Sequence, residues 1–131
     1  AALLDDQRGA HPLEQIQPCV SAADILHLRE AVSEVRVSEP IRRYIVGLVG
    51  ATRAAEGVAL GASPRASLTL MKIGQALALF DGCDYLAPEP VREAAVPVIA
   101  HRLGLESEAR YSGRSAEDIV RDCLQQVPVP D

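Results

Sequence analysis

Apolar residues recur at three- and four-residue steps along most of this chain, which is the pattern of amphipathic helices. The first such stripe consists of Ile25, Leu28, Val32 and Val35. It follows Ser21 and Asp24, which have the spacing of a capping box, with Asp in the place usually taken by Glu or Gln. The pattern therefore predicts a helix that begins after Ser21.

A second helix is predicted after Ser38, because Glu39 and Pro40 then fall in its first turn, where a carboxylate and a missing N–H are both favourable. Gly57 is its expected stop, since glycine readily adopts the left-handed conformation that ends helices. The apolar stripe of this helix comprises Ile41, Tyr44, Ile45, Leu48 and Val49.

The third predicted helix is the longest and the most apolar. Ser63 is its expected N-cap, Pro64 takes the first helical position, and Gly82 stops the helix after Phe80 or Asp81. Its apolar residues cover more than one face, which is typical of a helix at the centre of a domain. These residues are Leu68, Leu70, Met71, Ile73, Leu77, Leu79 and Phe80.

Two further helices are predicted downstream. The segment Pro88–Pro90 starts one of them, and Pro97 is expected to bend it or break it near Val96. Ser115 and Asp118 repeat the capping-box spacing before the last helix.

The fold predicted is an all-α bundle of four to five helices, to which a very short β-hairpin can be added. In that hairpin the extended piece Asp84–Leu86 would pair with the region Leu103–Leu105. Residues 1–18 are interpreted as a linker, 19–127 as the helical domain and 128–131 as a tail. Aromatic residues make up only 3% of the chain, which favours packed helices over a sandwich.

Composition and charge exclude several classes of function. The formal net charge of −5 argues against a nucleic-acid binder, which normally carries a basic face. No apolar run approaches the roughly 20 residues of a membrane span, and the acidic start lacks the basic region of a secretory signal. Because the chain starts at Ala1 without an initiator Met, we expect it to be part of a longer protein.

The three cysteines, Cys19, Cys83 and Cys123, are far apart and form no C-x-x-C pair. We expect reduced thiols that fill small spaces, no metal site and a cytoplasmic location.

The segment Gly61–Ala66, with the sequence Gly-Ala-Ser-Pro-Arg-Ala, has the chemistry of an anion site. The first turn of a helix presents unpaired N–H groups and the positive end of the helix dipole. Arg65 stands at the second helical position, where the dipole repels a cation and a bound phosphate would reverse that cost. The same residues also fit an ordinary cap followed by a solvated arginine, and local chemistry leaves both interpretations open.

Segment 61–66, the apolar run 68–79 and the segment Asp81–Val91 together resemble the lid of MoxR-family AAA+ ATPases. That family has a small-residue loop, Ser-Pro-Arg-Ala, a long apolar helix, Asp-Gly-Arg-Asp-Tyr-Val and a helix started by Pro. Weaker similarity lies in Pro12-Leu13-Glu14, Tyr44-Ile45-Val46, Leu48-Val49, Ala51-Thr52-Arg53 and His101-Arg102-Leu103, so the resemblance spans about Gly9 to Pro130. The sequence departs from the family at Cys83, where Arg is usual, and at Gly47, Gly50 and Gly74 inside helices.

The resemblance implies a role for Arg65 as the sensor-two arginine, which reaches from the lid to the γ-phosphate of ATP. Ser63 and Tyr44 are the other residues expected near the nucleotide, with Tyr44 towards the adenine, although Tyr44 also fits the edge of the core. Arg53 and Arg92 are expected to be neutral for ATP hydrolysis.

The chain itself contains no G-x-x-x-x-G-K-[ST] loop, so no ATPase activity is expected from it alone. The resemblance implies that ATP and Mg²⁺ bind the parent protein, whose AAA+ core would lie upstream. It also implies rings, usually hexamers, and client proteins with von Willebrand factor A domains, in a chaperone-like or metal-cofactor-insertion role. Two alternatives stay open: the lid of a magnesium-chelatase-like AAA+ subunit, and a stand-alone helical interaction module.

Overall fold

A computed structural model describes residues 16–130 as helices joined by short loops, with one very small sheet. The helices are α1 (Ala22–Glu34), α2 (Glu39–Ala54), α3 (Pro64–Phe80), α4 (Pro88–Ile99), α5 (Ser107–Tyr111) and α6 (Ala116–Gln126). The strands are β1 (Val58–Leu60) and β2 (Gly104–Leu105), which pair antiparallel. The predicted all-α class and the short two-stranded pairing are confirmed, and the helix not foreseen is the five-residue α5.

Serine side chains start three of the helices as the sequence predicts. The hydroxyls of Ser21 and Ser115 accept from the backbone N–H of Asp24 and Asp118, and both form complete capping boxes. Each serine in turn donates from its hydroxyl and its backbone N–H to the partner carboxylate, which holds the pKa of both aspartates below the ordinary value. The predicted cap of α2 also forms, since the Ser38 hydroxyl accepts from the N–H of Ile41.

Four helices, α2, α3, α4 and α6, supply most of the apolar core. α3 packs against α1, α2 and α4, so its predicted central place is confirmed. The largest fully buried side chains are Leu48, Leu70, Ile99, Ile119, Val49, Val91, Val120 and Thr52. Thr52 is the polar member of this set, and its hydroxyl forms a hydrogen bond to the loop before α3, described below.

The apolar surface of α3 is not buried all round. Leu70 lies inside at 0% exposure, whereas Leu68 and Phe80 are 59% and 75% exposed. α1 shows the same feature more strongly, because none of its 13 residues is buried. Its apolar side chains, with Met71 and Gln75 of α3, line a groove of about 890 Å³.

The sheet differs from the expectation in one of its two partners. Residues Gly104–Leu105 pair with Val58–Leu60 rather than with Asp84–Leu86. The extended piece at Tyr85 instead makes a parallel bridge to Arg36, with Leu86 N–H donating to the Arg36 carbonyl at 2.8 Å. Periodicity identified extended segments but carries no information on which of them pair, and this part of the prediction was wrong.

Pro97 does not break its helix near Val96. α4 continues through Pro97 to Ile99 and passes directly into a 3₁₀ turn, Ala100–Arg102. Pro97 removes one N–H that would have bonded to the carbonyl of Glu93. Both residues are exposed, so water can satisfy that carbonyl and the helix can run on.

The predicted domain limits at residues 18 and 127 remain a prediction. α6 ends at Gln126, and Val127–Pro130 is not helical. The interpretation of 1–18 as a linker falls largely outside the described residues.

Candidate functional site

The N-terminus of α3 differs from those of the other described helices in its charge. α1, α2, α4, α5 and α6 all carry Asp or Glu in the first turn, where a carboxylate stabilises the positive end of the dipole. α3 has no acidic residue there, and Arg65 stands in that turn instead. A cation at this position costs about 0.3–1 kcal/mol, so α3 begins with a local electrostatic penalty.

Ser63 is the N-cap residue of α3, but its side chain does not cap the helix. Its backbone is extended, with φ −77° and ψ 162°, and no hydrogen bond joins its hydroxyl to the first turn. Ser21, Ser38 and Ser115 all make that bond. Within residues 16–130 the Ser63 hydroxyl at the start of α3 therefore makes no hydrogen bond.

Arg65 is exposed, and its guanidinium makes no ion pair or hydrogen bond to any residue in the range 16–130. Only its backbone carbonyl is used, accepting from the Thr69 hydroxyl at 3.1 Å. An arginine is charged at all physiological pH values and offers a planar fork of donors. The arrangement suits an oxyanion supplied from outside this chain.

The loop before α3 is held by two consecutive residues of α2. The hydroxyl of Thr52 accepts from the N–H of Ala62 at 3.0 Å, and Arg53 Nε donates to the carbonyl of Ala62 at 3.1 Å. Both backbone groups of Ala62 are thus satisfied by side chains from the end of α2. We call this pair of hydrogen bonds the Ala62 clamp.

Gly61 lets the loop approach α2 closely enough for the clamp to form. A Cβ at Gly61 would lie 2.7 Å from the Cα and 2.9 Å from the backbone N of Arg53. Real Cβ atoms essentially never come so near to other heavy atoms, and backbone cannot move aside as a flexible side chain can. Only glycine fits here without shifting α2 or the loop.

Gly61→Ala is therefore expected to lower the free energy of unfolding by about 1–3 kcal/mol, the usual cost of overpacking. Gly50→Ala is the matched control in α2: no heavy atom lies within 4 Å of its Cβ position, so it should raise stability by about 0.5–1 kcal/mol. Urea denaturation of the 131-residue chain measures both. Equal stabilities for Gly61→Ala and wild type would show that the close approach is absent.

Tyr44 does not join Ser63 and Arg65 at this surface. Its side chain is in the core, 4% exposed, and its hydroxyl accepts from Arg92 Nη1 at 3.2 Å. The same Arg92 nitrogen donates to the Leu124 carbonyl at 3.1 Å, which ties α4 to α6. Tyr44 has no open face for an adenine in this structure, and its place is in packing.

Arg53 and Arg92, the positions expected to be neutral for ATP hydrolysis, both make hydrogen bonds that join separate elements of the fold, so they are poor controls. Arg53 belongs to the Ala62 clamp and Arg92 links the Tyr44 hydroxyl to α6. Arg43 is the better control, since it is exposed on α2 and its Nε donates to Glu39 Oε1 at 3.0 Å in an i,i+4 pair.

The remaining candidate groups do not assemble into a site within residues 16–130. No cluster of three or more His, Cys, Asp or Glu there could hold a metal ion. Cys123 is buried, and burial raises the pKa of its thiol. Cys19 was also expected to fill a small space, but it is exposed. His101, in the 3₁₀ turn, has its Nδ1 atom 2.9 Å from the Pro97 carbonyl of the preceding helix α4.

Residues 50–123 match the family described as the AAA lid domain. This stretch covers more than half of the chain and includes α3, Arg65 and the Ala62 clamp. The chain belongs to the AAA lid domain family.

Named relatives place this lid with the MoxR type of AAA+ ATPase. The chain is 39% identical over 128 residues to the uncharacterized protein YeaC of Bacillus subtilis, covering 98% of this chain and 40% of that protein. It is 36% identical over 125 residues to Chaperone MoxR1 of Mycobacterium tuberculosis, covering 88% of this chain and 33% of the relative. It is 30% identical over 123 residues to Protein MoxR of Methylorubrum extorquens, covering 79% and 34%.

A solved structure shows the same fold. The crystal structure of a putative ATPase from Cytophaga hutchinsonii superposes with a TM-score of 0.84 at 31% identity, covering 99% of this chain and 43% of that one. The chain thus spans between 33% and 43% of the length of the proteins it matches. No helix in residues 16–130 is long and apolar enough to cross a membrane.

Proposed function

We propose that this chain is the nucleotide-sensing lid of a cytoplasmic MoxR-type AAA+ ATPase and that Arg65 contacts the γ-phosphate of ATP held by the core of the same protein. The observation that carries the proposal is the start of α3. It combines a guanidinium and a serine hydroxyl that bond to no residue in 16–130 with the absence of the first-turn acid that the other described helices have. The cation and the missing acid are both unfavourable at the positive end of the dipole, and a bound phosphate would reverse that cost while the serine hydroxyl supplies a further donor.

The described residues of this chain could bind the phosphate end of a nucleotide but provide no site for its other parts. Ser63, Arg65 and the first-turn N–H groups would hold phosphate oxygens, because hydroxyl, guanidinium and amide groups are all donors to such oxygens. A phosphate-binding loop and the ligands of Mg²⁺ would have to come from the core. When bound, MgATP supplies the phosphoryl group that is transferred to water.

The partners follow from the same proposal. The AAA+ core would pack against this lid, and the exposed apolar face of α1 with its groove against α3 suits such a contact. Neighbouring subunits would complete a ring, usually a hexamer, and von Willebrand factor A domain proteins would be its clients in a chaperone-like or cofactor-inserting role. The relatives named MoxR favour this proposal over a magnesium-chelatase-like lid and over a stand-alone interaction module.

The 131-residue chain alone is expected to show no steady ATP turnover, because Arg65 and one helix end are a small part of a nucleotide site. The sequence has no phosphate-binding loop, and residues 16–130 contain no cluster of metal ligands. The measurement is phosphate release by the purified chain, with the full-length ATPase as positive control. The matched control is Arg65→Ala in the chain, which removes any activity that depends on this lid but leaves that of a contaminant. Turnover by the wild-type chain that Arg65→Ala abolishes would contradict the lid proposal.

The sensor role itself is tested in the full-length ATPase, by comparing ATP hydrolysis and ADP binding with and without Arg65→Ala. If Arg65 senses the γ-phosphate, Arg65→Ala should lower the rate of ATP hydrolysis and leave ADP binding unchanged.

A further inference from the structure

The loop that carries the start of α3 is fixed from a neighbouring helix rather than from within α3. Ala62 is fully buried at 0% exposure, and its N–H and carbonyl both bond to side chains of α2 through the Ala62 clamp. Thr52 is itself 1% exposed, and its hydroxyl donates to the Val49 carbonyl at 2.7 Å. That donation leaves the oxygen lone pairs aimed at Ala62, so the orientation of the hydroxyl is determined.

The side chain of the N-cap fixes the start of α1, α2 and α6, whereas α3, α4 and α5 have no side-chain cap. Such a cap occupies one of the first-turn N–H groups. At α3 the Ser63 hydroxyl makes no such bond, and the clamp holds the chain one residue earlier. The clamp therefore immobilises the loop without using any donor that an incoming phosphate would need.

We propose that Thr52 and Arg53 are positioning residues for Arg65: through Ala62 they fix the place and direction from which the Arg65 side chain leaves α3. This inference rests on the proposed sensor function. Ala62 is three residues before Arg65, so a shift of the loop is transmitted directly to the first turn. A misplacement of about 1 Å can cost on the order of a hundredfold in rate, which is why an arginine sensor needs an anchored helix start.

The first test follows the loop without any nucleotide, by amide hydrogen exchange in the 131-residue chain. Thr52→Val keeps the shape of the side chain and removes its hydroxyl, so the Ala62 amide should exchange about tenfold faster or more, the value of one hydrogen bond. Thr52→Ser should restore slow exchange. Amides in the middle of α4 should exchange as in wild type in all three proteins, which separates a local release from a general loss of stability.

The second test measures whether the clamp acts through Arg65. In the full-length ATPase, Thr52→Val and Arg53→Gln should each lower the rate of ATP hydrolysis by about ten- to a hundredfold and leave ADP affinity unchanged. Arg43→Gln is the control, because Arg43 makes the same kind of Nε donation on the same helix but to a surface carboxylate. Should Thr52→Val fail to fold, Arg53→Gln at its exposed position carries the test.

Combination with Arg65→Ala distinguishes positioning from general support of the fold. If the clamp works through Arg65, adding Thr52→Val or Arg53→Gln to Arg65→Ala lowers the hydrolysis rate no further. Multiplying effects would overturn the inference, as would wild-type hydrolysis by Arg53→Gln or unchanged exchange of the Ala62 amide in Thr52→Val. Wild-type hydrolysis by Arg65→Ala alone would instead overturn the proposed sensor function, so the two failures are distinct.

Discussion

Replacing Leu70 by alanine is expected to lower the free energy of unfolding by about 2–5 kcal/mol, the range measured for fully buried leucines. Leu70 has 0% of its surface exposed and lies on the inward face of α3. α3 packs against three other helices, so the walls around Leu70 belong to several elements and cannot collapse together to fill the space. That rigidity places the expected cost in the middle or upper part of the range.

Two other leucines of the same helix serve as controls. Leu77 is also apolar in the pattern, and the sequence alone predicts the same 2–5 kcal/mol for Leu77→Ala, but its side chain is only half-buried at the edge of the core. Its expected cost falls to the lower end of that range. Leu68 is 59% exposed, and Leu68→Ala should change stability by no more than about 0.5 kcal/mol.

Chemical denaturation of the three variants orders them, with Leu70→Ala least stable and Leu68→Ala closest to wild type. If Leu68→Ala proved as damaging as Leu70→Ala, the outward face of α3 would have to be buried in the isolated chain. The described packing of α3 would then be incomplete.

Helix positions were largely predictable because they depend on local signals. Ser21 with Asp24 and Ser115 with Asp118 are capping boxes whose members are three residues apart in sequence, and both form. Gly82 stops α3 with φ 74°, a conformation that glycine adopts at little cost. Such signals act within one turn of the chain, so a single sequence contains them.

Long-range pairing was less predictable. Which segment pairs with Gly104–Leu105 depends on how α2 and α4 pack, and no local pattern encodes that. The Ala62 clamp could not be predicted for the same reason. In the sequence, Thr52 stands out only as part of Ala51-Thr52-Arg53, one of the segments similar to the MoxR family. The one sign in the sequence was a threonine that continues the otherwise apolar stripe of α2, ten residues before Ala62.

Two of the three proposed site residues lie together in the structure, and the third does not. Ser63 and Arg65 share one helix start because they are two residues apart in sequence. Tyr44 lies on the apolar stripe of α2, where periodicity favours the edge of the core but also allows a ligand-facing position, and its 4% exposure places it in the core. Residue type alone could not separate those two environments.

Arg65→Ala in the full-length ATPase is expected to lower the rate of ATP hydrolysis by roughly a hundred- to a thousandfold, the usual cost of removing one electrostatic donor from a transition state. The guanidinium would face the γ-phosphate, where negative charge is redistributed during phosphoryl transfer. ADP lacks that phosphate, so its affinity should stay the same. Arg65→Lys should recover only part of the rate, because an ammonium is a point charge without the planar fork.

The variant should remain folded, because Arg65 makes no ion pair within residues 16–130 and stands at the repulsive end of a helix dipole. Removing it is expected to leave thermal stability unchanged or slightly raised. A large fall in melting temperature would instead make Arg65 a structural residue.

The most direct test of the lid as a nucleotide sensor is a paired measurement on one preparation of the Arg65→Ala ATPase: its rate of ATP hydrolysis and its affinity for ADP, with Arg43→Gln prepared alongside. We expect the hydrolysis rate to fall about a hundredfold or more while ADP affinity stays at the wild-type value, and we expect no change in either quantity for Arg43→Gln. Hydrolysis at the wild-type rate, or a loss of ADP binding as large as the loss of hydrolysis, would contradict the sensor role of Arg65.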